Sequence, residues 1–168
     1  MGIDLDYFLA EDDGAAARAL SRPGGPLGRP EVTGHRKTGL FRREPVVTEL
    51  GPGYPGFASR GVDPVVALGT LAELLTGVPY DSVQEDPRHG AEIACTPSGD
   101  RMVLAVTDGL RAALVTVDDT RLREIAAAWN RTEELADIPP EDLVEFLSRL
   151  RDLVRSAGDA RLYCHVAL

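Results

Sequence analysis

A glycine pattern near the middle of the chain, Gly51-Pro52-Gly53-Tyr54-Pro55-Gly56, matches the GxGxxG spacing of dinucleotide-binding loops and follows a strand-like run. In those loops, backbone N–H groups and a helix N-terminus contact the pyrophosphate. Here the two prolines each remove an N–H donor, and residues 57–61 make a poor helix. We therefore interpret the segment as a turn, and we expect no nucleotide or other cofactor.

Histidine and cysteine side chains could bind a metal or serve in catalysis, but their spacing favours neither. His35, His89 and His165 are far apart and lack HxxH partners, whereas a zinc site needs three or four ligands at defined spacings. Cys164 and His165 are neighbours in a strand-like run, so their side chains point to opposite faces. Both cysteines, Cys95 included, lie in apolar runs typical of buried free thiols, and no serine lies in a GxSxG motif. We expect no metal site and no catalytic residues.

Carboxylates are concentrated between the last two predicted helices. Residues 133–145 hold six acids and no base. We call these six residues the acidic junction: Glu133, Glu134, Asp137, Glu141, Asp142 and Glu145. Because the run spans little more than one Debye length, the fields of its charges add, and we predict that it binds a basic partner. The alternative is a solvated face in which Glu141 and Asp142 only stabilise a helix N-terminus.

Basic residues cluster in a different part of the chain. Residues 21–60 carry seven bases against three acids, and the run His35–Arg43 contains Arg36, Lys37, Arg42 and Arg43 in a glycine-flanked loop. Such a cluster could hold an anion. The simpler interpretation is a loop that is solvated or that pairs with the protein's own acidic surface, since runs of charge are usually solvated.

The composition limits the classes of partner. The 168 residues carry 18 Lys+Arg against 27 Asp+Glu, for a net charge of −9. This charge argues against nucleic acid and anionic membranes, because phosphate binding needs a cationic surface. No apolar run is long enough to cross a membrane, and the acidic N-terminus is unlike a signal peptide, so we expect a cytoplasmic protein. The alanine, arginine and glycine bias is typical of a high-GC bacterial genome.

The first part of the chain predicts a strand, a short helix and a long loop. Residues 3–9 alternate apolar and acidic side chains, and Asp12-Asp13 precede an alanine-rich helix. The segment at about 21–62 holds six of the twelve prolines and nine of the seventeen glycines, which predicts a loop with one edge strand over Pro45–Leu50. A helix then begins at Asp63-Pro64 and ends at Gly77.

The second part predicts a meander, two helices and a final strand. Strands are expected over Glu92–Thr96, Arg101–Val106 and Arg111–Val117, with Asp108-Gly109 as the second turn. Helices begin at Asp118-Asp119 and at Pro139-Pro140. Leu162–Leu168, apolar on both faces, predicts an interior strand. The whole chain, 1–168, is predicted to be one α+β domain with a mainly antiparallel sheet of about five strands and helices packed on it.

Several short stretches together suggest a family. They are Met1-Gly2-Ile3 followed by Tyr7-Phe8, then Leu74-Leu75-Thr76-Gly77, a strand over Leu114–Val117 that runs into a capped helix, and Leu162-Tyr163-Cys164-His165-Val166 after the closing helix. With these stretches the chain resembles the YfbM-like family of small bacterial α+β proteins without an established activity. The elements to which the stretches belong make up roughly half of the chain. The resemblance implies an α+β fold and supplies no catalytic residues.

Two functions of different classes remain open at this point. The acidic junction and the lack of catalytic motifs favour a non-catalytic protein-binding module, for example an immunity-type inhibitor that masks a basic toxin. The long loop and the basic cluster favour a small-molecule enzyme or ligand-binding protein with its site under residues 21–62.

Overall fold

The computed structural model of the chain describes residues 3–37, 43–48 and 52–168. Its strands are β1 (Asp4–Ala10), β2 (Glu31–Lys37), β3 (Arg43–Thr48), β4 (Gly56–Ser59), β5 (Glu92–Cys95), β6 (Arg101–Ala105) and β7 (Arg161–Ala167). Its helices are α1 (Asp13–Leu20), α2 (Val66–Thr76), α3 (Tyr80–Gln84), α4 (Asp108–Thr116), α5 (Asp119–Trp129) and α6 (Pro140–Arg155), with a 3₁₀ helix over Glu133–Leu135.

Five of the strands form one antiparallel sheet in the order β4-β1-β7-β6-β5. The C-terminal strand β7 lies at its centre, where Tyr163 is opposite Phe8 of β1 on one side and Ala105 of β6 on the other. The prediction of an α+β fold with a mainly antiparallel sheet and an interior terminal strand is confirmed.

Both faces of the sheet are covered by helices. On the first face, Tyr7 and Cys164 belong to a core that also contains Leu68 of α2, Trp129 of α5 and Leu147 of α6. On the second face, the alanines of α1 pack in a smaller core with Phe8, Val103 and Tyr163. Apolar side chains are therefore needed on both faces, which explains the apolar runs over residues 7–10 of β1 and 162–164 of β7, whereas Asp6 and His165 are buried polar residues on the second face.

Polar caps set the ends of the helices much as the sequence predicts. Asp63 accepts hydrogen bonds from the N–H groups of Val65 and Val66, at 2.8 and 2.6 Å, ahead of α2. Gly77 ends that helix with a φ of 73°, a conformation that costs glycine little. Asp118 caps α5 by accepting a hydrogen bond from the N–H of Arg121 at 2.8 Å.

The prediction of a third meander strand over Arg111–Val117 is wrong, because these residues belong largely to α4. The Thr107 side chain accepts a hydrogen bond from the N–H of Leu110 and caps this helix. Leu110 and Leu114, one turn apart, are both buried in the main core. Asp108-Gly109 is thus a first helical turn rather than a hairpin turn, and the strand over Leu114–Val117 that contributed to the family resemblance is absent.

The segment predicted as a loop, 21–62, contains three strands. β2 and β3 pair with each other as a separate antiparallel hairpin, so β3 does not join the main sheet as predicted, and β4 occupies that edge instead. The last residues of the predicted edge strand, 49–50, lie outside the described residues, as do Met1-Gly2 and Gly51.

Two glycines of the pattern at 51–56, Gly53 and Gly56, allow close packing of the backbone. A Cβ atom at Gly53 would overlap the carbonyl group of Leu27, and one at Gly56 would overlap the carbonyl oxygen of Tyr7. Glycine at these two positions lets the chain approach its neighbours before it enters β4.

Candidate functional site

All six residues of the acidic junction are exposed on the connection between α5 and α6. Glu133 and Glu134 belong to the 3₁₀ helix, Asp137 lies in the turn after it, and the other three lie in the first two turns of α6. The structure therefore places the six predicted carboxylates, all exposed, on the connection between α5 and α6 and on the start of α6.

The backbone beneath the acidic junction is held by hydrogen bonds from one asparagine. The side-chain amide of Asn130, the last residue before the turn, donates to the carbonyl oxygens of Leu135 at 3.2 Å and Ile138 at 2.9 Å. Leu135 is fully buried, and the Ile138 N–H donates to its carbonyl oxygen at 3.0 Å. Pro139 and Pro140 then lead into α6. Asn130 was not among the residues predicted from the sequence, although an asparagine directly after an amphipathic helix is a recognisable turn signal.

Few bases lie close to the acidic junction. Within the described part of the chain, Glu145 is the one member of the six whose carboxylate has a base within 4 Å, Arg149 at 3.9 Å. The Arg149 guanidinium also lies over the ring of Phe57, 4.6 Å from its centroid. The other five carboxylates have no described base within 4 Å, and they give this connection a net negative charge.

A groove borders the acidic junction on the side of the sheet edge. Its volume is about 210 Å³, and it lies between the first turns of α6 and β4. Asp142, Glu145 and Arg149 line one wall, and Phe57, Ala58 and Arg60 line the other, so the groove holds as many bases as acids. A partner bound at the acidic junction would therefore meet the edge of the main sheet as well.

A second polar cluster lies under the segment 21–30, on the other face of the sheet. Asp6 and His165 are 2% and 6% exposed, and their closest side-chain atoms, Oδ2 and Nδ1, are 3.5 Å apart. Arg29 closes the cluster with an ion pair to Asp6. Because the carboxylate and the imidazole are enclosed, a substrate would have to displace this segment to reach them.

A third cluster joins α1, β7 and the turn before β5. The Tyr163 hydroxyl donates to Asp13 at 2.8 Å, and Arg88 donates to the same carboxylate at 3.0 Å. The hydrogen bond from Tyr163, assisted by Arg88, lowers the pKa of Asp13 from its usual 3.8. Burial, and then the bond to Asp13, raises the pKa of Tyr163 to about 12. The two hydrogen bonds to Asp13 join α1 to the fully buried Tyr163 of β7 and to Arg88.

The basic residues of the alternative site are divided between two strands. Arg36 and Lys37 end β2, Arg43 begins β3 opposite Lys37, and Arg42 lies outside the described residues. The prediction of a loop is therefore wrong for the three described residues, which belong to a hairpin. The polar residues of β2 and its glycine give no hydrophobic period from which a strand could have been predicted.

The described residues hold no group of three or more His, Cys, Asp or Glu side chains arranged to bind a metal ion. Cys164 is buried and Cys95 partly buried, and both are free thiols. The described helices also include none with the length and hydropathy of a membrane-spanning segment.

Comparisons with known proteins found no family model, no curated protein and no solved structure that matches this chain. The resemblance to the YfbM-like family therefore stays a prediction.

Proposed function

We propose that this chain is a non-catalytic protein-binding module whose acidic junction binds a basic surface of another protein. The observation that carries the proposal is the placement of six exposed carboxylates on one connection whose backbone is fixed by Asn130.

Two physical effects would favour binding at this surface. The uncompensated carboxylates would steer a basic partner and raise its association rate at low salt. The hydrogen bonds from Asn130 and the two prolines order the turn before the partner arrives, so less conformational entropy is lost on binding.

An immunity-type inhibitor of a basic toxin is the specific form that we propose, because such a protein acts by covering a cationic surface and needs no catalytic residue of its own. The alternative, a small-molecule site under residues 21–62, has weaker support because Asp6 and His165 are enclosed beneath that segment.

The test is a pull-down at low salt from the host lysate with three baits. They are the wild-type chain, the junction variant Glu133→Gln/Glu134→Gln/Asp137→Asn, and a control variant Glu11→Gln/Glu85→Gln/Asp159→Asn. All six substituted residues are exposed, and both variants remove three negative charges. Glu141 and Asp142 are left intact because they stabilise the start of α6.

We expect a basic protein to bind the wild-type and control baits and to be lost from the junction variant. Recovery of the same proteins with all three baits, or of no basic protein with the wild-type bait, would contradict the proposed function.

A further inference from the structure

The main core is open at one end of the sheet. Leu5 of β1 lies opposite Val166 of β7, which lies opposite Met102 of β6, so these three side chains form one row on the first face. Met102 is only partly buried, and Ile3 and Leu168, which follow the row towards the surface, are 53% and 65% exposed. The apolar face of the sheet therefore continues to the surface at this end.

A groove of about 320 Å³ lies along this open end. The row of Leu5, Val166 and Met102 lines it on the side of the sheet, and Pro64, ahead of α2, lines it on the side of the helices. The described lining residues are apolar or glycine, with the single exception of Asp63. A volume of this size and a mainly apolar lining with one polar group are typical of small-molecule sites.

Asp63 supplies the only charge among the described residues of the groove. Its Oδ1 atom accepts both hydrogen bonds from the N–H groups ahead of α2, so Oδ2 is not used by the helix cap. The carboxylate is exposed, and within the described part of the chain it has no base within 4 Å. The charge of the groove is therefore purely negative, and it selects a cation.

We propose that this groove binds a small molecule with an apolar body and one cationic amino group, such as an alkylamine. The apolar body lies on the row of Leu5, Val166 and Met102, and the ammonium group lies beside Asp63. Met102 is unbranched and adapts its shape to the bound molecule. The inference does not depend on the proposed function, because the groove shares no lining residue with the acidic junction.

The apolar surface at this end is too small for a protein partner. On the opposite face of the same strands, Asp4 and Arg101 flank Ala167, and both are exposed charged residues. The apolar surface is thus confined to the groove, whereas a stable protein interface covers about 800 Å² on each partner. A small molecule fills such a groove without needing a wider contact surface.

The probes for this site are hexylammonium, hexan-1-ol and hexanoate, which share a chain length and differ in charge. Each is titrated into the full-length protein at neutral pH, while the methyl resonances of Leu5, Met102 and Val166 are followed by NMR. We expect saturable shifts of these methyl groups with hexylammonium. Hexan-1-ol should bind about threefold more weakly, the size of effect that an exposed ion pair produces, and hexanoate should bind most weakly. Shortening hexylammonium should weaken binding about twofold per methylene, because an open groove buries each one only in part.

Two variants separate the charge from the apolar contact. Asp63→Asn keeps a side chain that can cap α2, and it should bind hexylammonium and hexan-1-ol equally. Leu168→Ala shortens an exposed lining residue and should weaken the binding of hexylammonium by about twofold or more. Its matched control is Val78→Ala, since Val78 is also an exposed apolar residue, at 43%, but lies outside the groove. The control should bind like the wild type.

The titrations of the wild type alone can overturn the proposal, so it does not depend on the folding of any variant. It fails if millimolar hexylammonium gives no saturable shifts of the groove methyl groups, or if hexan-1-ol binds as tightly as hexylammonium. It also fails if Leu168→Ala binds like the Val78→Ala control. Shifts of the same methyl groups that depend on protein concentration without any probe would identify a second copy of the chain as the occupant and would likewise exclude a small-molecule site.

Discussion

Replacing Asn130 by alanine should loosen the acidic junction without changing its charge. The Asn130 side chain makes two hydrogen bonds to the backbone of the turn, to the carbonyl oxygens of Leu135 and Ile138. No ionisable group is altered, so any effect reports on the geometry of the turn.

The expected loss follows from these two bonds. A net intramolecular hydrogen bond contributes about 1 kcal/mol, so Asn130→Ala should lower the free energy of unfolding by about 2 kcal/mol. If the loss is confined to the turn, local opening of residues 133–138 should become about thirtyfold more favourable. The amide that reports this opening is that of Ile138, which donates to the carbonyl oxygen of Leu135 at 3.0 Å.

Urea denaturation and amide hydrogen exchange measure the two quantities. The adjacent variant Arg131→Ala is the control, because the Arg131 side chain is exposed and its loss should change stability by less than about 0.5 kcal/mol. The variant Asn130→Asp keeps the shape but loses both donors, and should be at least as destabilised as Asn130→Ala. If Asn130→Ala unfolds like the control and the Ile138 amide exchanges at the wild-type rate, the turn is not held by Asn130.

Three further predictions concern the sheet and its clusters. Deleting residues 161–168 should abolish the cooperative melt, because β7 is the central strand and its four buried apolar side chains contribute roughly 6–12 kcal/mol, comparable to the whole stability of a domain. In a spectrophotometric titration of the folded protein, Tyr163 should stay mostly protonated from pH 10.0 until the pH approaches 12, and Tyr7 should also ionise late, since burial raises the pKa of both. Stability should fall with rising pH over that range, because the folded chain retains a Tyr163 proton that the unfolded chain releases. In urea denaturation at neutral pH, the wild type should be more stable than Asp13→Asn. This difference should disappear as the pH falls from 3.8 through the lowered pKa of Asp13, because the Asp13 carboxylate then becomes protonated in the folded protein as well.

The elements that the sequence predicts well are those with local signals. Asp63 and Gly77 bracket α2, Asp118 precedes α5, and the apolar run at 162–168 marks the central strand. Helix capping and burial of both strand faces each require particular residue types at neighbouring positions, so both can be recognised in the sequence.

The elements that were missed depend on contacts between distant residues. The sequence Asp108-Gly109 is compatible with a hairpin turn or with the first turn of a helix. Only the helix buries both Leu110 and Leu114 in the main core, and this tertiary packing determines the outcome. The groove between β4 and α6 could not be predicted from the sequence either, because it depends on the pairing of β4 with β1 and on the position of α6. The carboxylates of the junction could be identified from their spacing, whereas the groove beside them could not.

The most direct test of the central claim is the association rate of the basic partner recovered with the wild-type bait. Stopped-flow measurements at low and high salt would compare the wild type, the junction variant Glu133→Gln/Glu134→Gln/Asp137→Asn and the control variant Glu11→Gln/Glu85→Gln/Asp159→Asn. At low salt, the junction variant should associate about tenfold more slowly than the other two, and the difference should shrink at high salt as the charges are screened. Equal rates for all three proteins at both salt concentrations would show that the acidic junction is a solvated surface and not a binding site.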